Sequence, residues 1–167
     1  MVVLLLLLSF STFADDLLSA HIAKNNPKLD KVYINRLAKA IKVSSNRHGI
    51  DAKIYSAMLM QESGYRMGVH NCYKIPADSK ALKLNHCEDF SISMINRKTI
   101  EAYGFNKQRL ITSLEYAVDC GAIVLKDLKK RYGHDSDYWV RYNVGTRPKH
   151  KIPTIWNDYK VAVLRWL

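Results

Sequence analysis

Glu62 stands where an apolar run, Ile54 to Met60, gives way to a polar turn in the pentapeptide Gln61-Glu62-Ser63-Gly64-Tyr65. A carboxylate at the edge of a core is partly desolvated. Burial disfavours its ionised form and raises its pKa, which is how a glutamate comes to donate a proton near neutral pH. The plainer alternative is a solvated charge at a helix C-terminus, since perturbed carboxylates are only a guide to functional sites.

Two further segments carry groups suited to the same chemistry. They are Asp89-Phe90-Ser91-Ile92-Ser93-Met94-Ile95-Asn96, read as a loop, and Arg141-Tyr142-Asn143-Val144-Gly145 nearer the C-terminus. Cleaving a glycosidic bond needs a proton on the leaving oxygen and stabilisation of an oxocarbenium-like transition state. Glu62 can supply the proton. Asp89 and Glu88 are the nearest candidates for a second carboxylate, but an Asp at a loop start also satisfies neighbouring backbone amides, and bracing is the reading favoured for Asp89. Glu88 reads as a solvated charge beside Cys87. The rings of Tyr65, Tyr73 and Tyr142 could stack on sugar faces, with ordinary packing the alternative for Tyr65.

The ordered set of segments resembles the lytic transglycosylases with a goose-type-lysozyme-like fold. That family shows a Glu-Ser motif, then a loop commonly written Asp-x-Gly-Leu-Met-Gln-Ile-Asn, then Ala-Tyr-Asn-x-Gly. The resemblance covers about Asp51 to the C-terminus, because Cys120-Gly121-Ala122 and Leu125 also match the family's Ala-Gly-Ala-x-x-Leu helix. It implies that Glu62 is the sole catalytic acid, that Ser63 helps to orient it, and that Tyr142 and Asn143 form the cleft wall. It also implies that the loop of Ser91, Ile92, Ser93, Met94, Ile95 and Asn96 borders the sugar through its backbone. Ser91 replaces the family's Gly, Ser93 its Met and Met94 its Gln, Ile92 is a mild change from Leu, and Ala117 stands where many members have Asn. The implied reaction cuts the bond between N-acetylmuramic acid and N-acetylglucosamine. Glu62 acts first as acid, then as base toward the muramic acid's own 6-hydroxyl, leaving a 1,6-anhydro end and requiring no cofactor or metal. A muramidase using water, or a non-catalytic wall-binding module of a larger envelope machine, are the alternatives.

These residues need helices to hold them. Asn26-Pro27 reads as the N-cap and first position of a helix with Leu29, Tyr33, Leu37 and Ile41 on one stripe, ending at Arg47-His48-Gly49. Asp51 caps a second helix, roughly Ala52 to Ser63. Residues 64–95 read as mostly irregular. Asn96 to Tyr103 reads as a short helix closed by Gly104, and Ser113 to Arg131 as a long one with Leu114, Val118, Ala122 and Leu125 on one face and Gly133 beyond it. Tyr138 to Tyr142 and Asp158 to Leu167 complete the expectation. No strand pattern of any length stands out, so the expected fold is mainly α: a compact lysozyme-like helical domain over 27–167, preceded by an extension over 15–26.

The chain has 167 residues, enough for one domain, and 26 Lys and Arg against 15 Asp and Glu give a formal charge of +11. The excess favours polyanionic surroundings and is spread out rather than gathered in a basic tail. No nucleic-acid-binding motif accompanies it. Arg147 and Lys149 could meet peptide carboxylates or anionic wall polymers. Residues 1–14 read as a secretory signal cut after Ala14, with an apolar run too short to span a bilayer, so an exported monomer without a stable membrane span is expected; because no Lys or Arg precedes the run, an uncleaved hydrophobic anchor or a misplaced start codon is the alternative. Its expected partners are peptidoglycan glycan strands, in the periplasm or cell exterior, and a secretion, conjugation or phage-entry machine. In an oxidising compartment Cys72 and Cys87 are the natural disulfide pair, worth about 3 kcal/mol for such a loop. A zinc site from His70, Cys72, His86 and Cys87 is the rival, although its spacing fits no standard finger. Cys120 reads as a small buried hydrophobe.

Overall fold

A computed structural model describes residues 17–72 and 87–167. The polypeptide is mainly helical. A helix over 17–25 (α1) is followed by α2 (Lys31–His48) and α3 (Ala52–Ser63). Three short strands come next, β1 (His70–Cys72), β2 (Cys87–Phe90) and β3 (Ile95–Asn96). Then come α4 (Arg97–Tyr103), α5 (Lys107–Thr112), the long α6 (Leu114–Tyr132), α7 (Arg141–Val144) and α8 (Pro153–Leu164). Single 3-10 turns at Tyr138–Val140 and Lys149–Lys151 lead into α7 and α8.

Local capping explains most of these limits. The Asp51 carboxylate accepts from the N–H groups of Lys53 and Ile54 and starts α3. Asn96 caps α4, Asn106 α5 and Ser113 α6 in the same way. Gly49, Gly64 and Gly104 close helices in the left-handed conformation that glycine adopts without strain. The first helical stripe is placed differently from expectation. Asp30, extended and accepting from Tyr33 N at 2.8 Å, is the N-cap of α2. Asn26 instead accepts from Lys28 N and donates to the Gly64 carbonyl. The stretch read as an extension forms α1, and its Leu18 and Ile22 are buried in the same core as α2 and α3, so the domain begins before residue 27.

That core gathers Leu37, Ile41, Tyr55, Met58, Leu59, Phe90, Ile92, Leu114, Val118 and Trp156, all at 2% exposure or less. Each fully buried large side chain contributes about 2 kcal/mol of hydrophobic stabilisation. Cys120 lies within the core as a free thiol whose pKa is pushed up to about 11 by burial, which leaves it unreactive. Trp139 and Trp156 are core residues, whereas Trp166 is half-buried and donates its indole N–H to Gln61.

The irregular region holds an antiparallel sheet ordered β1-β2-β3. Strands of two to four residues are too short to display an alternating pattern, which is why none is legible in the sequence. The register sets Asn71 opposite Asp89 and Asp89 opposite Asn96, and it places the backbone of Cys72 opposite that of Cys87. The side chains of Cys72 and Cys87, the zinc rival's His86, Tyr73 and the signal segment lie outside the described residues. Among the described residues no helix is long and apolar enough to cross a membrane.

Candidate active site

Glu62 occupies the last turn of α3, and the backbone immediately after it is tightly held. Gly64 turns the chain in the left-handed region, with its N–H on the carbonyls of Leu59 and Met60. Asn26 donates to the Gly64 carbonyl at 2.9 Å, and the Tyr33 hydroxyl donates to the Tyr65 carbonyl at 2.7 Å. The carboxylate thus sits on a rigid helix end rather than on a loose loop.

It opens into a cleft of about 520 Å³ lined by Asn71 and Asp89 of the sheet, Met94, Ile95 and Asn96, Thr99 of α4, Val124 of α6, and Tyr142, Asn143 and Gly145. The amides of Asn71, Asn96 and Asn143 share these walls with the side chains of Met94, Val124 and Tyr142. Such a surface suits a ligand with hydroxyl and amide edges and flat apolar faces. A shallower groove of about 310 Å³ shares Asn143 and continues along α8, lined by Gln61, Ile155, Asp158, Tyr159 and Ala162.

The acid's principal partner comes from α8. The Tyr159 hydroxyl donates to Glu62 Oε1 at 2.5 Å. Burial raises the Glu62 pKa to about 7, the Tyr159 hydrogen bond pulls it back in part, and the negative charge of Asp89 adds to the rise. Burial and the charge of Glu62 hold the Tyr159 hydroxyl pKa well above its usual value, so it stays a donor. With Oε1 engaged as acceptor, Oε2 is the oxygen that can carry the carboxyl proton. Near neutral pH this is a glutamic acid poised for general acid and general base work.

The motif segments divide sharply in where they point. Met94, Ile95, Asn96, Tyr142 and Asn143 line the cleft with Glu62. Ser63 does not orient the acid. Its buried hydroxyl donates to the Leu59 carbonyl one turn back at 3.1 Å, the usual outlet for a serine inside a helix. Tyr65 is fully buried and bonds Ser56 through its hydroxyl at 2.9 Å, so it is core rather than a sugar platform. Ser91, Ile92 and Ser93 are likewise at 0% exposure and cannot touch a ligand with their side chains. The Tyr142 hydroxyl bonds neither the acid nor open space: it donates to the Ser93 carbonyl at 2.7 Å and fastens the loop to α7.

Ser93 is a structural pivot. Its hydroxyl donates to the backbone carbonyl of Ala117 at 2.9 Å and ties the loop to α6. Gly121 allows this approach. A Cβ there would lie 2.4 Å from the Tyr55 hydroxyl and 2.7 Å from Ser93 Oγ. Ser91 and Met94 adopt positive φ of 69° and 43°, the left-handed backbone that brings the turn around and delivers Met94 to the cleft.

Tyr159, Asn71, Thr99 and Val124 belong to the site without any motif in the sequence to mark them. Tyr159 and Asn71 reach the site from α8 and β1, elements that carry no motif. Asp89 does brace its surroundings, with Oδ2 accepting from Asn71 at 2.9 Å and Oδ1 from Asn96 at 3.2 Å, and it also lines the cleft. No protein-family model, curated protein or solved structure matches the chain.

Proposed function

We propose that this protein is a peptidoglycan-cleaving enzyme, a lytic transglycosylase that uses Glu62 as its only proton-transferring group. The observation that carries the reading is the buried glutamic acid with a pKa raised to about 7, held by Tyr159 at the wall of an amide-lined cleft. Glu62 Oε2 donates its proton to the glycosidic oxygen, and the bond from that oxygen to the sugar's anomeric carbon breaks with its electron pair. The resulting carboxylate then takes the proton of the muramic acid 6-hydroxyl as that oxygen closes on the anomeric carbon. Holding the ring so that its own hydroxyl attacks replaces a second reactant by proximity. The +11 charge supports residence on an anionic wall polymer.

A hydrolytic muramidase, with water in place of the 6-hydroxyl, is the second reading. Digestion of purified sacculi, followed by mass spectrometry of the soluble fragments, separates the two. Anhydro ends, lighter than reducing ends by one water, are expected from the wild type and none from Glu62→Gln. Reducing ends alone would replace the transglycosylase by the muramidase, and a Gln variant as fast as wild type would remove Glu62 from the chemistry.

A further inference from the structure

Resting on the proposed cleavage reaction, we infer that Asp89 is a second catalytic residue, whose carboxylate faces the sugar and stabilises the positive charge of the oxocarbenium-like transition state. Two observations carry it. Glu62 and Asp89 are the only carboxylates lining the cleft among the described residues, and they approach it from different elements, the end of α3 and the middle of the sheet. Asp89 is also held in place as an acceptor. It lies in the central strand, opposite Asn71 on one neighbour and Asn96 on the other, and each of these amides donates to one of its oxygens. An ionised carboxylate is acceptor-only, and two donors aimed at its two oxygens suit that form.

The step itself involves no bond to Asp89. As Glu62 gives its proton to the leaving oxygen and the glycosidic electron pair departs, the sugar ring gains positive charge, and the fixed negative charge of Asp89 faces it. When the 6-hydroxyl oxygen bonds to the anomeric carbon and its proton passes to Glu62, the charge is cancelled and Asp89 is unchanged. The ionisable groups that sense this charge across the cleft are Glu62 and Tyr142. Preorganised charges of this kind contribute about 10²–10³-fold to turnover.

The test is turnover of soluble glycan fragments by wild type, Asp89→Asn and Asn71→Ala, with thermal stability and pH profiles recorded for each. Asp89→Asn is expected to lose roughly 10²–10³-fold in kcat with little change in KM. The high-pH limb of its profile should move down, because the negative charge that helps to keep Glu62 protonated is gone. Asn71→Ala removes a brace and a cleft-lining amide but keeps the charge, so its loss should fall on KM while kcat stays well above that of Asp89→Asn and the high-pH limb keeps its wild-type position. Asp89→Ser serves as a second neutral variant if the Asn variant does not fold. Asp89→Asn within about threefold of wild type in kcat, or Asn71→Ala losing as much kcat or moving the limb as far as Asp89→Asn, would overturn the assignment. Failure of both neutral variants to fold would assign Asp89 to bracing alone and overturn it too. Absence of product from wild type fails the cleavage reading itself and is seen without any variant.

Discussion

Replacing Glu62 by Gln should abolish cleavage and yet stabilise the protein above neutral pH. The Glu62 pKa rises from 4.5 to about 7 on folding, chiefly through burial. Between those values the folded state keeps a proton that the unfolded chain has released. Stability therefore falls as pH rises through that window and stays lower above it. The full gap corresponds to about 3 kcal/mol at about 1.4 kcal/mol per pH. Because the carboxyl opens on the cleft, solvent screening reduces this to about 2 kcal/mol. Gln has the same shape, accepts the Tyr159 hydrogen bond through its oxygen and never ionises. For a domain of this size, about 2 kcal/mol is worth roughly 4–8 °C in Tm. Thermal unfolding followed by circular dichroism at pH 4 and pH 8 reads the effect. The two proteins should melt together at pH 4, and Glu62→Gln should melt higher at pH 8. A difference equal at both values, or a Gln variant less stable at pH 8, would refute the argument that burial holds this proton.

The same geometry sets three other outcomes. Tyr159→Phe removes the hydroxyl that favours ionised Glu62, so the Glu62 pKa rises further and the high-pH limb of activity should shift upward by about one pH, as a charge-assisted hydrogen bond implies; an unshifted limb would count against Tyr159 as the acid's partner. Gly121→Ala forces a methyl group against Tyr55 and Ser93, which should cost about 1–3 kcal/mol in denaturant unfolding and lower turnover as the loop carrying Met94 moves. Ser91→Gly relieves a left-handed backbone that disfavours a side chain and should raise stability by about 0.5–1 kcal/mol at unchanged turnover, since Ser91 is buried away from the cleft.

How much of this is legible in the sequence depends on how far apart the interacting residues are. Asp51, Asn96 and Ser113 cap helices by bonding amides two or three residues on, and Gly64 and Gly104 end them through backbone conformation, so the limits of α3, α4 and α6 can be read from a few neighbouring letters. The apolar spacing of Leu114, Val118, Ala122 and Leu125 likewise announces the buried face of α6. Glu62 at the end of α3 belongs to the same class, because its place is set by where the apolar run stops.

Contacts across the chain leave no such mark. Tyr159 lies 97 residues from Glu62, and nothing in its own neighbourhood says that its hydroxyl will hold the acid. The same limit hid the row of Asn71, Asp89 and Asn96, assembled by strands too short to show a period. It also hid which members of the segment 91–96 turn toward the cleft, since positive φ at Ser91 and Met94 breaks the regular alternation that a pattern would rely on. Interactions spanning a few residues make α3, α4, α6 and the candidate acid readable in the residue order, whereas α1 carries no such local mark and α5 only its Asn106 cap. The acid's proton affinity, its tyrosine partner and the carboxylate across the cleft come from packing, because burial and long-range hydrogen bonds arise when distant segments meet.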